Sequence, residues 1–287
     1  MKPAPFDYVR AQTVDDALAA LAASDGAKVL AGGQSLVPML NFRLVDAPVF
    51  VDINGIAELR GISGGPDGGL RIGALTRHRD IEISDEIATR YPVVREAMRH
   101  VAHLAIRNRG TIGGSLSHAD PAAEWPALSV LLDAKMTAAR PARRREIAAR
   151  DFFVAPLTTA LEDDELLVHV DLPPLPAGAG WGFEEVAQRH GDFALAGAAA
   201  VIALDDGTIS EARLAMFGVD ETPLRIPAAE ELLMGKQPDA DALAAAAEAV
   251  RAAVSPMNDL HGSADYRRHL AGVLARRVLA AAAQRAA

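Results

Sequence analysis

Two glycine pairs constrain this chain more than any other feature it carries. In AGGQS, Gly32 and Gly33 end a short apolar run, Val29-Leu30-Ala31, and lead into Gln34 and Ser35. In TIGGS, 81 positions further on, Gly113 and Gly114 are flanked by Thr111 and Ser115. Glycine at a strand end permits positive φ and lets the main chain approach a ligand closely. Successive N–H groups in such a turn form a concave anion nest. Neutral donors on Gln34, Ser35, Thr111 and Ser115 would complete a site for a phosphate or pyrophosphate. The same residue types also serve plain turns, and on residue type alone both readings stand. No GxGxxG or GxxxxGK[ST] pattern occurs, so neither a Rossmann helix nor a P-loop is indicated.

The chain has 287 residues, half of them hydrophobic, and a formal net charge of −9. That length accommodates two domains with sizeable cores. The acidic balance argues against binding nucleic acid. It leaves an anionic cofactor open, because backbone amides bind phosphate without net positive charge. There is no cysteine, which removes disulfides, thiolate zinc sites, cysteine nucleophiles and cysteine-ligated iron–sulfur clusters together. The eight histidines show no HExxH spacing, so no metal site is expected. With no signal-peptide core in MKPAPFDYVR and no 18-residue apolar run, the expectation is a cytoplasmic protein without a membrane span.

Periodicity predicts β-α-β at the start. FDYVRA reads as a strand, VDDALAALAAS as a helix with Thr13 as N-cap, and AKVLAGG as the next strand. VFVDI is a further strand, and two more flank the SGGPDGG turn. Ile81 to His103 reads as helical, broken at Tyr91-Pro92, and RNRGTIGGSLSHADP as loop or irregular strand. EWPALSVLLDA is a helix, ARPARRRE a solvated hairpin and DELLVHVDLP a strand. The Pro/Gly cluster PPLPAGAG, Pro173 to Gly180, is the best internal boundary. Beyond it two strands surround an Asp-Asp-Gly-Thr turn, and helices cover Ala228 to Met234, Asp239 to Ala253 and Ala264 to the end. Strands and helices in blocks indicate an α+β fold.

Four segments carry a resemblance over nearly the whole chain: AGGQSLVPMLNFRL, IRNRGTIGGSLSHADPAAEWPA, RHGDFALAG and SADYRRHLAGVLARR. Together, and in this order, they resemble the FAD-binding medium subunits of the molybdenum hydroxylases, the family of carbon monoxide dehydrogenase medium chains and of the xanthine dehydrogenase flavin domain. The resemblance implies an FAD-binding fold of the PCMH/vanillyl-alcohol-oxidase type over residues 1–177, in two subdomains of about 1–57 and 58–177. A C-terminal domain of antiparallel sheet and helices would follow over 178–287.

By the same resemblance, Leu30, Ala31, Gly32, Gly33, Gln34, Ser35 and Leu36 would wrap one side of the FAD pyrophosphate. Thr111, Ile112, Gly113, Gly114 and Ser115 would cover the other, both segments through their backbone amides. Glu124 falls where relatives have an acidic residue near the sugar or ribityl hydroxyls, and Leu167 and Phe193 fall where relatives place groups near the isoalloxazine. Relatives often carry a lysine in the segment aligned with FEEVAQR, where this chain has Glu184 and Glu185. The implied partners are a small [2Fe-2S] iron–sulfur subunit and a large molybdopterin-binding catalytic subunit, in a dimer of heterotrimers. The implied role is that of an oxidoreductase's electron-transfer subunit, with no catalytic acid or base of its own. A self-sufficient flavin oxidoreductase on the same fold, and a noncatalytic nucleotide-binding module, are the alternatives.

Several of these residues also have plain structural readings. Glu124 suits the first turn of the helix EWPALSVLLDA, and Phe193 suits a core. Arg107 and Arg109 fit phosphate contacts, loop anchors or a partner surface equally, and His118 near Asp120 fits a solvated loop.

Overall fold

The computed structural model describes residues 2–286. Its first unit comprises β1 (Asp7–Arg10), α1 (Val14–Ala22), β2 (Lys28–Leu30), α2 (Leu36–Asn41) and β3 (Val49–Asp52). The strands run parallel in the order β1-β3-β2. Thr13 starts α1 with a capping box: its hydroxyl accepts from the Asp16 N–H, and the Asp16 carboxylate accepts from the Thr13 N–H at 3.0 Å. Val14, Ala17, Leu18 and Leu21 then fall on one buried face.

The second unit opens with a hairpin, β4 (Ile62–Gly64) and β5 (Leu70–Gly73). Six short helices follow: α3 (His78–Glu82), α4 (Asp85–Arg90), α5 (Pro92–Met98), α6 (Leu104–Arg107), α7 (Ile112–His118) and α8 (Glu124–Leu131). A hairpin of β6 (Lys135–Arg140) and β7 (Arg143–Ala148) leads through α9 (Ala149–Phe152) to a small ribbon, β8 (Phe153–Ala155) and β9 (Thr158–Thr159), and then to β10 (Leu166–Leu172). The antiparallel sheet has the order β4-β5-β10-β6-β7, so the strand made last occupies the centre. β10 side chains serve two opposite cores, and a bulge between Leu167 and His169 shifts their alternation. Leu166 and Val168 join Leu18, Leu21 and Val51 of the first unit, whereas Leu167, Val170 and Leu172 pack beneath the helices with Ile112, Leu116 and Leu128.

The third unit is the antiparallel sheet β11 (Gly180–Ala187), β12 (Ala194–Asp205), β13 (Thr208–Phe217) and β14 (Leu224–Arg225). The helices α10 (Pro227–Leu233), α11 (Ala240–Ala253) and α12 (Ala264–Arg285) complete it. β12 is buried on both faces. Ala199 and Val201 meet the helical layer of the second unit, and Ala196, Ala198, Ala200 and Ile202 lie in the core that α11 and α12 cover. Where α12 crosses β11 the two backbones touch: a Cβ on Gly182 would stand under 3.0 Å from the Val278 carbonyl oxygen.

The α+β expectation holds, with two local differences. The segment read as loop or irregular strand contains α7, started by Thr111, whose hydroxyl accepts from the Gly114 N–H at 3.1 Å. Ile112 and Leu116, one turn apart, anchor it in the core. The helical stretch from Ile81 to His103 is divided at Ser84 as well as at Tyr91, because the Ser84 hydroxyl caps α4 by accepting from the Ile87 N–H. β10 ends at Leu172 and β11 begins at Gly180, bracketing the Pro/Gly cluster.

Candidate cofactor site at the junction of the two glycine segments

β2 delivers the chain into a turn in which Gly33 has φ +71°. From Ala31 through Leu36, no backbone N–H has an acceptor among the described residues. The turn is held by its oxygens instead. Asn54 Nδ2 donates to the Ala31 carbonyl at 2.7 Å, Gln34 Nε2 to the Gly32 carbonyl at 3.0 Å, and the Val37 N–H to the Gly33 carbonyl at 3.0 Å. Fixed carbonyls with open amides make an anion nest.

The second segment is built differently. Ile112 donates to the Thr76 carbonyl at 3.1 Å, Gly113 to the Ala74 carbonyl at 2.8 Å, and Ser115 to the Thr111 carbonyl at 3.0 Å. The Gly114 amide is occupied by the Thr111 hydroxyl. The amides of both glycine pairs therefore do not converge as the sequence suggests: residues 31–36 carry the open donors, and Thr111 to Ser115 form a packed wall. Glycine is needed in that wall for closeness. A Cβ on Gly113 would stand under 3.0 Å from Ala74, and one on Gly114 under 3.0 Å from the Thr111 hydroxyl oxygen.

The two segments abut. A Cβ on Gly32 would stand under 3.0 Å from the Arg109 carbonyl oxygen and the Gly110 Cα, and one on Gly114 would reach the Ala31 Cβ at 4.0 Å. Arg77 bridges them, donating to Asn54 Oδ1 at 2.7 Å and to the Arg109 carbonyl. Arg60 adds a bond to the Asn54 carbonyl at 2.6 Å. Burial, and then the neighbouring cations of Arg60 and Arg109, lower the Arg77 pKa. A chain of net charge −9 thus gathers three mutually interacting guanidinium groups, two of them on Asn54, which holds the turn, a potential suited to a diphosphate.

Asn54, Arg60 and Arg77 are absent from the sequence-based set. Asn54-Gly55 directly after the strand VFVDI is a detectable turn signal: Asp52 Oδ1 accepts from the Asn54 N–H at 2.8 Å and from its Nδ2 at 2.7 Å. The two arginines have no comparable local signature.

The remaining expected residues are placed in different ways. Leu30 ends β2, and Leu36 begins α2. Ile112 and Leu167 belong to one buried core beneath α7. Glu124, the first residue of α8, is interior; burial first, and then the Glu185 charge, push its carboxyl up to about 8. At neutral pH it therefore carries a proton and offers a donor as well as an acceptor. Phe193 is exposed, on the turn between β11 and β12 where Gly191 abuts Ala102 and His103. Arg107 is a loop anchor, donating to Glu82 at 3.0 Å and to the Val101 and Ala102 carbonyls at 3.0 Å. The Asp120 carboxylate caps its own turn by accepting from the Ala122 N–H at 2.9 Å. Among the described residues, no helix is long and apolar enough to cross a membrane.

Comparison with known proteins places this arrangement. The family described as the FAD binding domain in molybdopterin dehydrogenase matches residues 4–175, and the CO dehydrogenase flavoprotein C-terminal domain matches residues 181–282. The chain is 43% identical to the 6-hydroxypseudooxynicotine dehydrogenase complex subunit alpha of Paenarthrobacter nicotinovorans, covering 100% of this chain and 97% of that one. It is 40% identical to the caffeine dehydrogenase subunit beta of a Pseudomonas species, covering 99% and 97%. It superposes on a solved carbon monoxide dehydrogenase chain from Hydrogenophaga pseudoflava with a TM-score of 0.97 at 40% identity, covering 100% of both. With both family matches in register with its units and relatives aligned end to end, the chain belongs to the FAD-binding medium subunits of the molybdenum hydroxylases, an oxidoreductase family with FAD as its cofactor.

Proposed function

We propose that this chain is the electron-transfer subunit of a cytoplasmic molybdenum hydroxylase complex. In this reading it accepts electrons from the [2Fe-2S] clusters of a small partner, fed by a large molybdopterin-binding partner, and delivers them to an external acceptor. The assembly is a dimer of such heterotrimers.

The observation that carries the reading is the run of open amides from Ala31 to Leu36, set among Arg60, Arg77 and Arg109. A diphosphate there meets N–H donors and positive charge with no competing internal bond. On the facing wall, the hydroxyls of Thr111 and Ser115 add donors, while Gly113 and Gly114 keep the wall flush. Glu124, protonated at neutral pH, both donates to and accepts from sugar or ribityl hydroxyls. Leu167 and Phe193 serve the apolar ring system. When bound, FAD supplies the ability to exchange one or two electrons, joining a one-electron carrier to a two-electron acceptor.

The chain has no cysteine, so cysteine-ligated clusters belong to a partner. Its relatives at 43% and 40% identity are named for different substrates, which fits a subunit that does not choose the substrate. The test is spectroscopic. The purified chain is expected to bind one FAD, with the visible absorbance of oxidised flavin, and that flavin is expected to bleach on substrate addition only in the assembled complex. A folded chain that binds no FAD, alone or assembled, overturns the reading. Bleaching by a small molecule without partners would instead make it a self-sufficient flavoenzyme.

A further inference from the structure

Two protonatable side chains from distant parts of the sequence meet between the helical layer and the third unit, and a third, Glu124, is coupled to them through charge. Glu185 of β11 faces inward with its side chain only 4% exposed. Its Oε1 is 3.4 Å from His100 Nδ1, and its Oε2 is buried with no hydrogen-bond partner. His100 lies just after α5, its ring 5.1 Å from Phe183 and 6.0 Å from the ring of His190. Glu124, at the start of α8, is buried and feels the Glu185 charge.

A buried carboxylate oxygen without a partner destabilises a protein. The surrounding charges leave the pair acidic. Asp120 adds to the negative field at Glu124, and Arg107, which opposes it, is also paired with Glu82. At His100, Glu96 reinforces and Arg99 opposes the effect of Glu185. Hydrogen bonding to Glu185 raises the His100 pKa, which favours the cationic form of the histidine. Glu185 Oε2 is left as the open acceptor.

We propose that Glu124, Glu185 and His100 act as one proton-holding unit that takes up a proton when the neighbouring flavin is reduced, and so set the pH dependence of its potential. The inference rests on the reading of this region as the flavin site. Reduction by two electrons puts one proton on the ring and leaves one added negative charge. That charge draws a second proton from solvent onto the carboxyl pair, so two electrons and two protons enter together. The electrons come from an inorganic low-potential reductant in the test, and from the partner's clusters in the complex. The three side chains are positioning residues, acting through their charge.

The test is a redox titration of the full FAD-loaded chain with dithionite and mediator dyes, between pH 6 and 8. Each proton taken up with two electrons contributes about 30 mV per pH unit to the slope. The native chain is expected to show the two-proton slope, and Glu185→Gln half of it. Infrared difference spectra should show a protonated-carboxyl band gained on reduction in the native chain and missing in the variant. Equal slopes, or no such band, overturn the proposal. If Glu185→Gln does not fold, His100→Gln is the second variant and is expected to shift the slope as well; an unchanged slope there overturns the proposal too. A third measurement needs no cofactor: side-chain carboxyl titration of the FAD-free chain by carbon-13 NMR. One of the two carboxyls is expected to remain protonated at pH 7, and both ionised at that pH overturns the unit. Failure to bind FAD refutes the cofactor reading and the redox role, while the NMR titration still decides whether the proton unit exists.

Discussion

Gly32 lies directly on the Arg109 carbonyl, so closely that a Cβ on the glycine would stand under 3.0 Å from that oxygen. The two glycine segments are joined there backbone to backbone, and no rotamer change can relieve a side chain at the contact. Gly32→Ala is expected to weaken FAD binding at least tenfold and lower the melting temperature by several degrees. Gly64→Ala, with nothing within 4 Å of its added Cβ, is the control and should alter neither. Calorimetric titration with FAD and thermal unfolding check both.

Asn54 links Ala31 to Arg77. Asn54→Ala removes both bonds and leaves the Ala31 carbonyl and the Arg77 guanidinium short of partners, at a cost of about 1–3 kcal/mol. With the carbonyl side of the turn freed, its amides lose their shared orientation. We expect FAD affinity to fall more than the loss of stability alone explains, read by fluorescence titration against denaturant unfolding. Unchanged affinity would remove Asn54 from the site.

Gly182 is the point where α12 rests on β11. Gly182→Ala pushes the Val278 backbone outward and should destabilise the third unit by about 1–3 kcal/mol, the usual range for overpacking. Because Gly182 faces α12 whereas Phe183 and Glu185 of the same strand face the helical layer, the FAD that remains bound should keep its native spectrum. Denaturant unfolding followed by circular dichroism, alongside flavin absorbance, separates the two effects.

Two buried groups give opposite pH dependences. His78 has no partner for either ring nitrogen, and burial holds its pKa at about 4, below the usual 6.5. The unfolded chain binds more protons in that window, so stability rises with pH from about 4 to 6.5 and is lost as acid protonates the folded form. Glu124 is raised from 4.5 to about 8, so its contribution is complete below 4.5 and is lost as pH climbs through 8. His78→Gln should flatten the acid limb of a stability profile, and Glu124→Gln the limb above pH 6.5. Limbs that stay unchanged would contradict these assignments.

The first glycine turn is legible in the sequence because an apolar strand announces it and β3 beside it ends in Asn54-Gly55. The α1 cap is equally plain, since Thr13 and Asp16 make a local reciprocal pair. The helix α7 is not. Two adjacent glycines lower helix propensity, and the buried Ile112 and Leu116 that override it share a core with Leu167, far along the chain. Arg77 is invisible for the same reason. Its role arises only when β5 and α3 carry it to Asn54 and Arg109, which belong to separate segments. Glu124 is readable as an acidic residue opening a helix, but its raised pKa comes from burial first and then from Glu185, which belongs to another unit.

The central place of β10 bears on how the chain is made. A ribosome that has just finished β9 at Thr159 has already released both glycine turns and the arginines around them, yet β5 and β6 still lack the strand that lies between them. That sheet closes only once Leu172 has cleared the exit tunnel, and Leu166 and Val168 reach the first unit's core in the same event. Closure of that sheet thereby waits until residue 172 of 287 has been made, so a prematurely terminated product ending before β10 would bear both glycine turns and the arginines beside them without the strand that ties the second unit to the first.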